Sequence, residues 1–221
     1  MLKITSIKIN GLEKGLITDS PPNIVFTIES DVQGDALKKG TIKIGAWEKE
    51  TTDQLNNTYT GEMKAFTKYP VQIEVESKSG QVATAIAEFE SGRKGTPWIG
   101  KWITDKSYHF PDKKSPKPMN FRRYFNTNKA IKRAFMNATA LGIYEITLNG
   151  EKVGEDYFAP GLTSYRKQIQ YQTYDLTGKV QKENEILITV AGGWAVGSFT
   201  YRRVSKIDAD RQAFLSEIHL E

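Results

Sequence analysis

ATALGIYEITLNGEKVGEDYFAPGLTSYRKQIQYQTYDLT occupies residues 138–177, and it carries the pattern of β-structure. Tyr144, Ile146 and Leu148 alternate with Glu145 and Thr147, the period of two expected of a strand with one buried face and one wet face. Asn149-Gly150 then supplies the two left-handed residues of a type I′ turn, and Lys152-Val153 begins the returning strand. A β-hairpin follows from these residues alone.

Outward from the hairpin, residues 131–140, 142–148, 168–174 and 185–190 read as strands of one all-β domain. Toward the N-terminus, residues 2–9, 23–29, 40–47, 69–76 and 81–89 read as strands of another. The breaks between them are turn-rich: Ser20-Pro21-Pro22, residues 31–34 and residues 77–80. Strands of this length and spacing, with no helical pattern between them, predict antiparallel sandwiches. The fold class is therefore all-β, with two β-sandwich domains. One short helix is expected, over residues 208–214, and the two halves share class without sharing a repeated motif.

The boundary between the halves lies in a basic stretch. Residues 1–92 carry 10 basic and 13 acidic side chains, residues 93–123 carry 9 and 2, and residues 124–221 carry 12 and 11, so the net charge of +5 resides in the middle segment. That segment runs from Arg93-Lys94 through Lys113-Lys114-Ser115-Pro116-Lys117-Pro118 to Arg122-Arg123 and reads as connector and surface loop. No helix-turn-helix, RNA-binding or zinc motif accompanies it, so a nucleic-acid partner is not expected. Trp98 and Trp102 lie within it, and packing of both indoles at a seam between the domains is the expected role, with ligand stacking as the alternative.

Two sets of motifs narrow the reading further. Leu148-Asn149-Gly150, Val153-Gly154, and Asp175-Leu176-Thr177 with Glu183-Asn184-Glu185-Ile186 resemble jelly-roll sugar-binding domains attached to glycosidases. Tyr157-Phe158-Ala159-Pro160-Gly161 with Thr163-Ser164-Tyr165, then Gln170-Tyr171-Gln172-Thr173-Tyr174-Asp175 and Gly193-Trp194, resemble the N-terminal jelly-roll domain of bacterial α-L-rhamnosidases of glycoside hydrolase family 78. The resemblance is specific over about residues 97–194 and weaker over residues 2–91. It implies an immunoglobulin- or fibronectin-type-III-like sandwich over residues 1–92, followed over residues 93–221 by a jelly-roll, galactose-binding-like domain cut short at its C-terminal side. It also implies that the family's inverting (α/α)6 catalytic barrel, with its acidic residues, follows Glu221. The closing Ser216-Glu217-Ile218-His219-Leu220-Glu221 alternates like a strand and stops without a turn, as expected at a boundary inside a larger protein.

Composition limits the other possibilities. The 221 residues are 38% hydrophobic and 11% aromatic, enough for true cores. There is no cysteine, so disulfides and thiolate metal sites do not arise. No apolar run approaches the roughly 18 residues of a membrane span, and the N-terminus lacks a signal-peptide layout; a cytoplasmic protein without a membrane partner is expected.

The candidate chemistry is that of sugar binding. An inverting glycosidase needs two carboxyls roughly 6.5–9.5 Å apart. Glu151, Glu155 and Asp156 are the acidic cluster nearest the motifs, but they fall on a hairpin and its exit, where a solvated turn is the ordinary role. No catalytic residue is assigned. His109 and His219 lack ligand spacing, so no metal site or cofactor is expected, and Gly192-Gly193-Trp194-Ala195-Val196-Gly197 lacks the Lys-Ser/Thr pair of a phosphate loop. Aromatic faces that cover pyranose C–H patches, beside planar polar groups for the hydroxyls, are supplied by Asp156, Tyr157, Tyr165, Arg166 and Trp194. Tyr171 and Tyr174 are weighed toward core or interface. Three functions stay open: an accessory region of a rhamnosidase binding rhamnosides and packing on its catalytic domain, an autonomous carbohydrate-binding module, and a scaffold without a ligand. An uncovered aromatic patch is expected near residues 157–162 and the Trp194 loop, where self-association is one way of covering it.

Overall fold

A computed structural model describes residues 1–198 and 201–221. It is almost wholly β and divides into two compact units, Met1–Pro97 and Trp98–Glu221.

The first unit contains β1 (Lys3–Ile9), β2 (Ile17–Thr18), β3 (Asn23–Glu29), β4 (Leu37–Ile44), β5 (Trp47–Thr51), β6 (Asn57–Thr58), β7 (Lys68–Ser77) and β8 (Val82–Ser91). One sheet has the order β1-β3-β6 and the other β2-β8-β7-β4-β5. Alternate residues of the strands, among them Ile24 and Phe26 of β3, Ile42 and Ile44 of β4, and Val71, Ile73 and Val75 of β7, are buried in a single cluster. Each fully buried aliphatic or aromatic side chain stabilises by roughly 1.5–3 kcal/mol.

The predicted single strand over residues 40–47 is in fact a tight hairpin. β4 and β5 close with Ile44 opposite Trp47, and Gly45 between them has φ +57°, which a two-residue hairpin turn demands. Gly45-Ala46 lacks the asparagine that marks the later turn, so its apolar flanks read as one run.

The second unit contains β9 (Met119–Asn126), β10 (Ala134–Leu141), β11 (Ile143–Leu148), β12 (Glu151–Lys152), β13 (Gln172–Asp175), β14 (Glu183–Ala191), the single helical turn α1 (Gly193–Val196) and β15 (Ala213–Leu220). Its sheets run β12-β11-β14-β9 and β13-β10-β15. Between them are buried Met136, Ala138, Tyr144, Ile146, Ile188 and Phe214.

Four expectations change here. Residues 119–123, assigned with the basic segment to connector and loop, form with residues 124–126 the edge strand β9; Phe121 and Phe125 alternate correctly, but Arg122-Arg123 between them masks the period. No helix forms over residues 208–214, which lead instead into β15. The 168–174 strand is confined to β13, because the amides of Lys167 and Gln168 both close onto the Ser164 carbonyl and keep the chain turning. Trp98 packs edge-on against Tyr171 at 5.8 Å, but Trp102 is 42% exposed, so the two indoles do not share one buried role.

Candidate functional site

The hairpin that opens the site forms for the reason its sequence gives. Asn149 and Gly150 both have positive φ, +54° and +84°, and Leu148 pairs with Glu151 across them. Asn149 does more than turn: its Oδ1 accepts from the Glu185 amide at 2.9 Å and its Nδ2 donates to Asn184 Oδ1 at 3.1 Å. The turn is thereby fastened to the start of β14.

Beyond β12 the chain crosses the mouth of the sandwich. Gly154, at φ +76°, passes so close to the Tyr174 ring that a Cβ there would lie 2.3 Å from it. The Ala159 carbonyl then accepts from the Tyr144 amide at 2.9 Å, and the Pro160 carbonyl accepts from Gln172 Nε2 at 3.2 Å. These two bonds hold the C-terminal end of a loop in which Tyr157 and Phe158, just before it, are exposed.

Beneath the loop lies a buried phenol pair. The Tyr144 and Tyr174 hydroxyls are 3.1 Å apart, and Gln172 Oε1 is 2.8 Å from that of Tyr144. Burial pushes the Tyr174 phenol up to about 12; its hydrogen bond with Tyr144 opposes this, and the Asp156 charge adds to it. Tyr144 is raised further, again chiefly by burial. Both stay neutral hydrogen-bonding groups over the ordinary pH range.

The candidate residues divide by exposure. Tyr157 is 79% exposed with Lys152 Nζ 4.0 Å above its ring, a cation–π contact. Phe158 is 62% exposed and meets the half-buried Trp194 edge to face at 6.1 Å. Leu162, four residues on in the chain, is 63% exposed. Tyr165 lies underneath, buried in a cluster with Phe110, Ala195 and Val196, and its hydroxyl donates to the Gly161 carbonyl at 2.9 Å. Arg166 donates to the Ile207 carbonyl at 2.9 Å and sits 3.4 Å from Asp208. The structure therefore brings Tyr157, Phe158 and Trp194 to one surface, with Asp156 exposed beside them, and makes Tyr165 and Arg166 their support. Of the two tyrosines weighed toward the interior, Tyr174 is core and Tyr171 is half-buried.

Phe158 has φ +59°, a region in which a non-glycine residue costs roughly 1–2 kcal/mol. That conformation is spent on holding a ring out toward solvent. Phe158 and Leu162 fall within the uncovered patch expected over residues 157–162, though not among the named sugar contacts, and Lys152 was missed by the sequence reading. The backbone that exposes Phe158 has no glycine at its own position to announce it.

Glu151 and Glu155 are exposed on the hairpin and its exit. Among the described residues, no three His, Cys, Asp or Glu side chains group as metal ligands, and no helix is long and apolar enough to cross a membrane. The arrangement offers apolar and aromatic surface edged by a cation and a carboxylate. It is suited to stacking a sugar ring or docking another apolar surface.

Residues 129–221 match the family described as "Alpha-L-rhamnosidase N-terminal domain". An α-L-rhamnosidase of Streptomyces avermitilis is 43% identical over 95 residues, 42% of this chain and 9% of that protein. One of Formosa agariphila is 28% identical over 142 residues, 61% of this chain and 15% of that protein. The crystal structure of Streptomyces avermitilis α-L-rhamnosidase complexed with L-rhamnose superposes on all of this chain and on 39% of its own, with a TM-score of 0.89 and 17% sequence identity; that likeness is one of fold. The chain thus spans a small fraction of the length of the relatives it matches.

Proposed function

We infer, for a chain that is an N-terminal region of the α-L-rhamnosidase family, a non-catalytic accessory role: its loop surface docks against the remainder of a longer enzyme and helps to orient rhamnosylated substrate. In this reading the first unit is a fibronectin-type-III-like spacer and the second a jelly-roll domain. The carrying observation is the exposed surface of Tyr157, Phe158 and Leu162 with Trp194 against it. Monomers seldom leave large apolar patches uncovered without a use for them, and here a strained backbone residue helps maintain the exposure. The Streptomyces avermitilis relative complexed with L-rhamnose suggests the sugar class.

Titration of the 221-residue chain with L-rhamnose, followed through aromatic ring protons, tests the sugar contact. Saturable shifts confined to Tyr157, Phe158 and Trp194 are expected, with an affinity on the order of millimolar, as suits one shallow ring-stacking surface. Tight binding would favour an autonomous carbohydrate-binding module. No shift at any of the three rings would remove the sugar contact and leave docking alone.

A further inference from the structure

The second unit has an open side, away from the aromatic loop. β9 is the outermost strand of the four-stranded sheet and β15 the outermost strand of the three-stranded sheet. Between them lies a cleft of about 780 Å³ that reaches Ile186 and Ile188 of β14, both of which belong to the core. β9 turns alternate side chains toward it: half-buried Phe121 and Phe125, with exposed Arg123 between them. β15 contributes Ile218 and Leu220, the second 40% exposed. Ile186 and Ile188 are themselves only 4% and 5% exposed, so the open apolar wall is the rim of half-buried Phe121, Phe125 and Ile218 with Leu220.

The two edges are not equally occupied. Along β15, Ile103 exchanges backbone hydrogen bonds with Phe214, and the amides of Ile99 and Gly100 reach the Glu217 carboxylate. β9 pairs with β14 and with no other strand among the described residues. The Thr127 amide donates to the Lys182 carbonyl at the end of that ladder. By the two-residue alternation of an antiparallel pair, the backbone groups of Asn120, Arg122 and Tyr124 then face away from β14, toward the free edge.

Charge makes the cleft selective. Cations on an edge strand ordinarily repel other strands, and Arg122 fits that role, lying on the outer face 3.1 Å from Glu185. Arg123 lines the cleft as well, and no carboxylate among the described residues pairs with it; Glu217, the carboxylate in the lining, is engaged by the amides of Ile99 and Gly100. A guanidinium between two phenylalanines gains most from an occupant that brings an acid of its own.

We propose that the cleft receives an extended peptide segment that adds to β9 as a further strand, with apolar side chains at alternate positions and one carboxylate against Arg123. Open backbone groups provide the pairing and the alternating pockets provide the register, as in other strand additions. We assign the segment to another part of the same polypeptide, because the matched relatives extend far beyond the aligned region, which makes up 9% and 15% of their lengths. A second copy of this chain fits poorly: two β9 edges paired about their middle bring the Arg122-Arg123 pairs of both copies together, like charge against like.

The test appends to the full 221-residue chain, through a flexible Gly/Ser linker of roughly a dozen residues, a strand of about eight alternating valines and threonines with one central valine replaced by aspartate. Hydrogen exchange at Asn120, Arg122 and Tyr124 is then compared with that of a strand carrying lysine at the same place. The aspartate strand is expected to slow exchange at these amides about tenfold or more, the lysine strand little, and Arg123→Glu should reverse the preference. Failure of both strands to protect β9, or equal protection by both, would overturn the proposal. So would a dimer of the unextended chain that protects the same amides, or protection of them by L-rhamnose.

Discussion

Phe158 sets stability against exposure. Its φ of +59° is unfavourable for a bulky side chain, and its 62% exposure returns little burial energy. Phe158→Gly should therefore raise the unfolding free energy by about 1 kcal/mol or leave it unchanged, while weakening whatever the ring contacts. Urea unfolding reads the first effect, and a loss of stability of more than about 1 kcal/mol would mean that the ring is a packing element after all. The buried phenols give a second residue-scale expectation. A phenol whose folded pKa of about 12 exceeds the ordinary value of 10.0 stays protonated in the folded state while the unfolded chain ionises. Stability then falls as pH rises from about 10 toward 12, by roughly 1.4 kcal/mol per unit for such a group. Tyr174→Phe should flatten that slope; an alkaline unfolding curve identical in the two proteins would contradict the assignment. Of these residues, the exposure of Tyr157 and Phe158 and the burial of Tyr174 were legible in the sequence, and the burial of Tyr165 was not. Tyr157 and Tyr165 look alike in a string, but one ring lies under Lys152 in solvent and the other donates its hydroxyl to Gly161 inside a cluster.

Elements were legible where side chains alternate cleanly and turns carry their own chemistry. β11, Asn149-Gly150 and β12 follow directly from the pattern, and β3 from residues 23–29. β9 was hidden because an edge strand wears charge on residues that in a central strand would be apolar, so Arg122-Arg123 joined it to a basic loop. α1 is a four-residue turn without a capping side chain, too short to leave a periodic trace. Asn149 is the best probe at this scale, since it combines a left-handed backbone with two bonds to the start of β14. Asn149→Ala should lower the stability of the second unit by about 2 kcal/mol, measured by thermal unfolding. Asn149→Asp, which keeps the acceptor for the Glu185 amide, should cost less. Equal costs would show that the bond to β14 contributes nothing.

At the scale of the whole molecule, two compact units each possess their own core, and nearly every residue outside loops is committed to sheet. The carboxylates nearest the aromatic surface are exposed on a hairpin and its exit. A general acid, by contrast, is usually raised by burial or a neighbouring like charge. The central claim is that this region serves a rhamnosidase without performing its chemistry, and the most direct measurement is release of p-nitrophenol from p-nitrophenyl α-L-rhamnoside by the purified 221-residue chain. No release above the uncatalysed blank is expected. Turnover that survives repurification and disappears on Glu151→Gln or Asp156→Asn would contradict the claim and place the catalytic chemistry here.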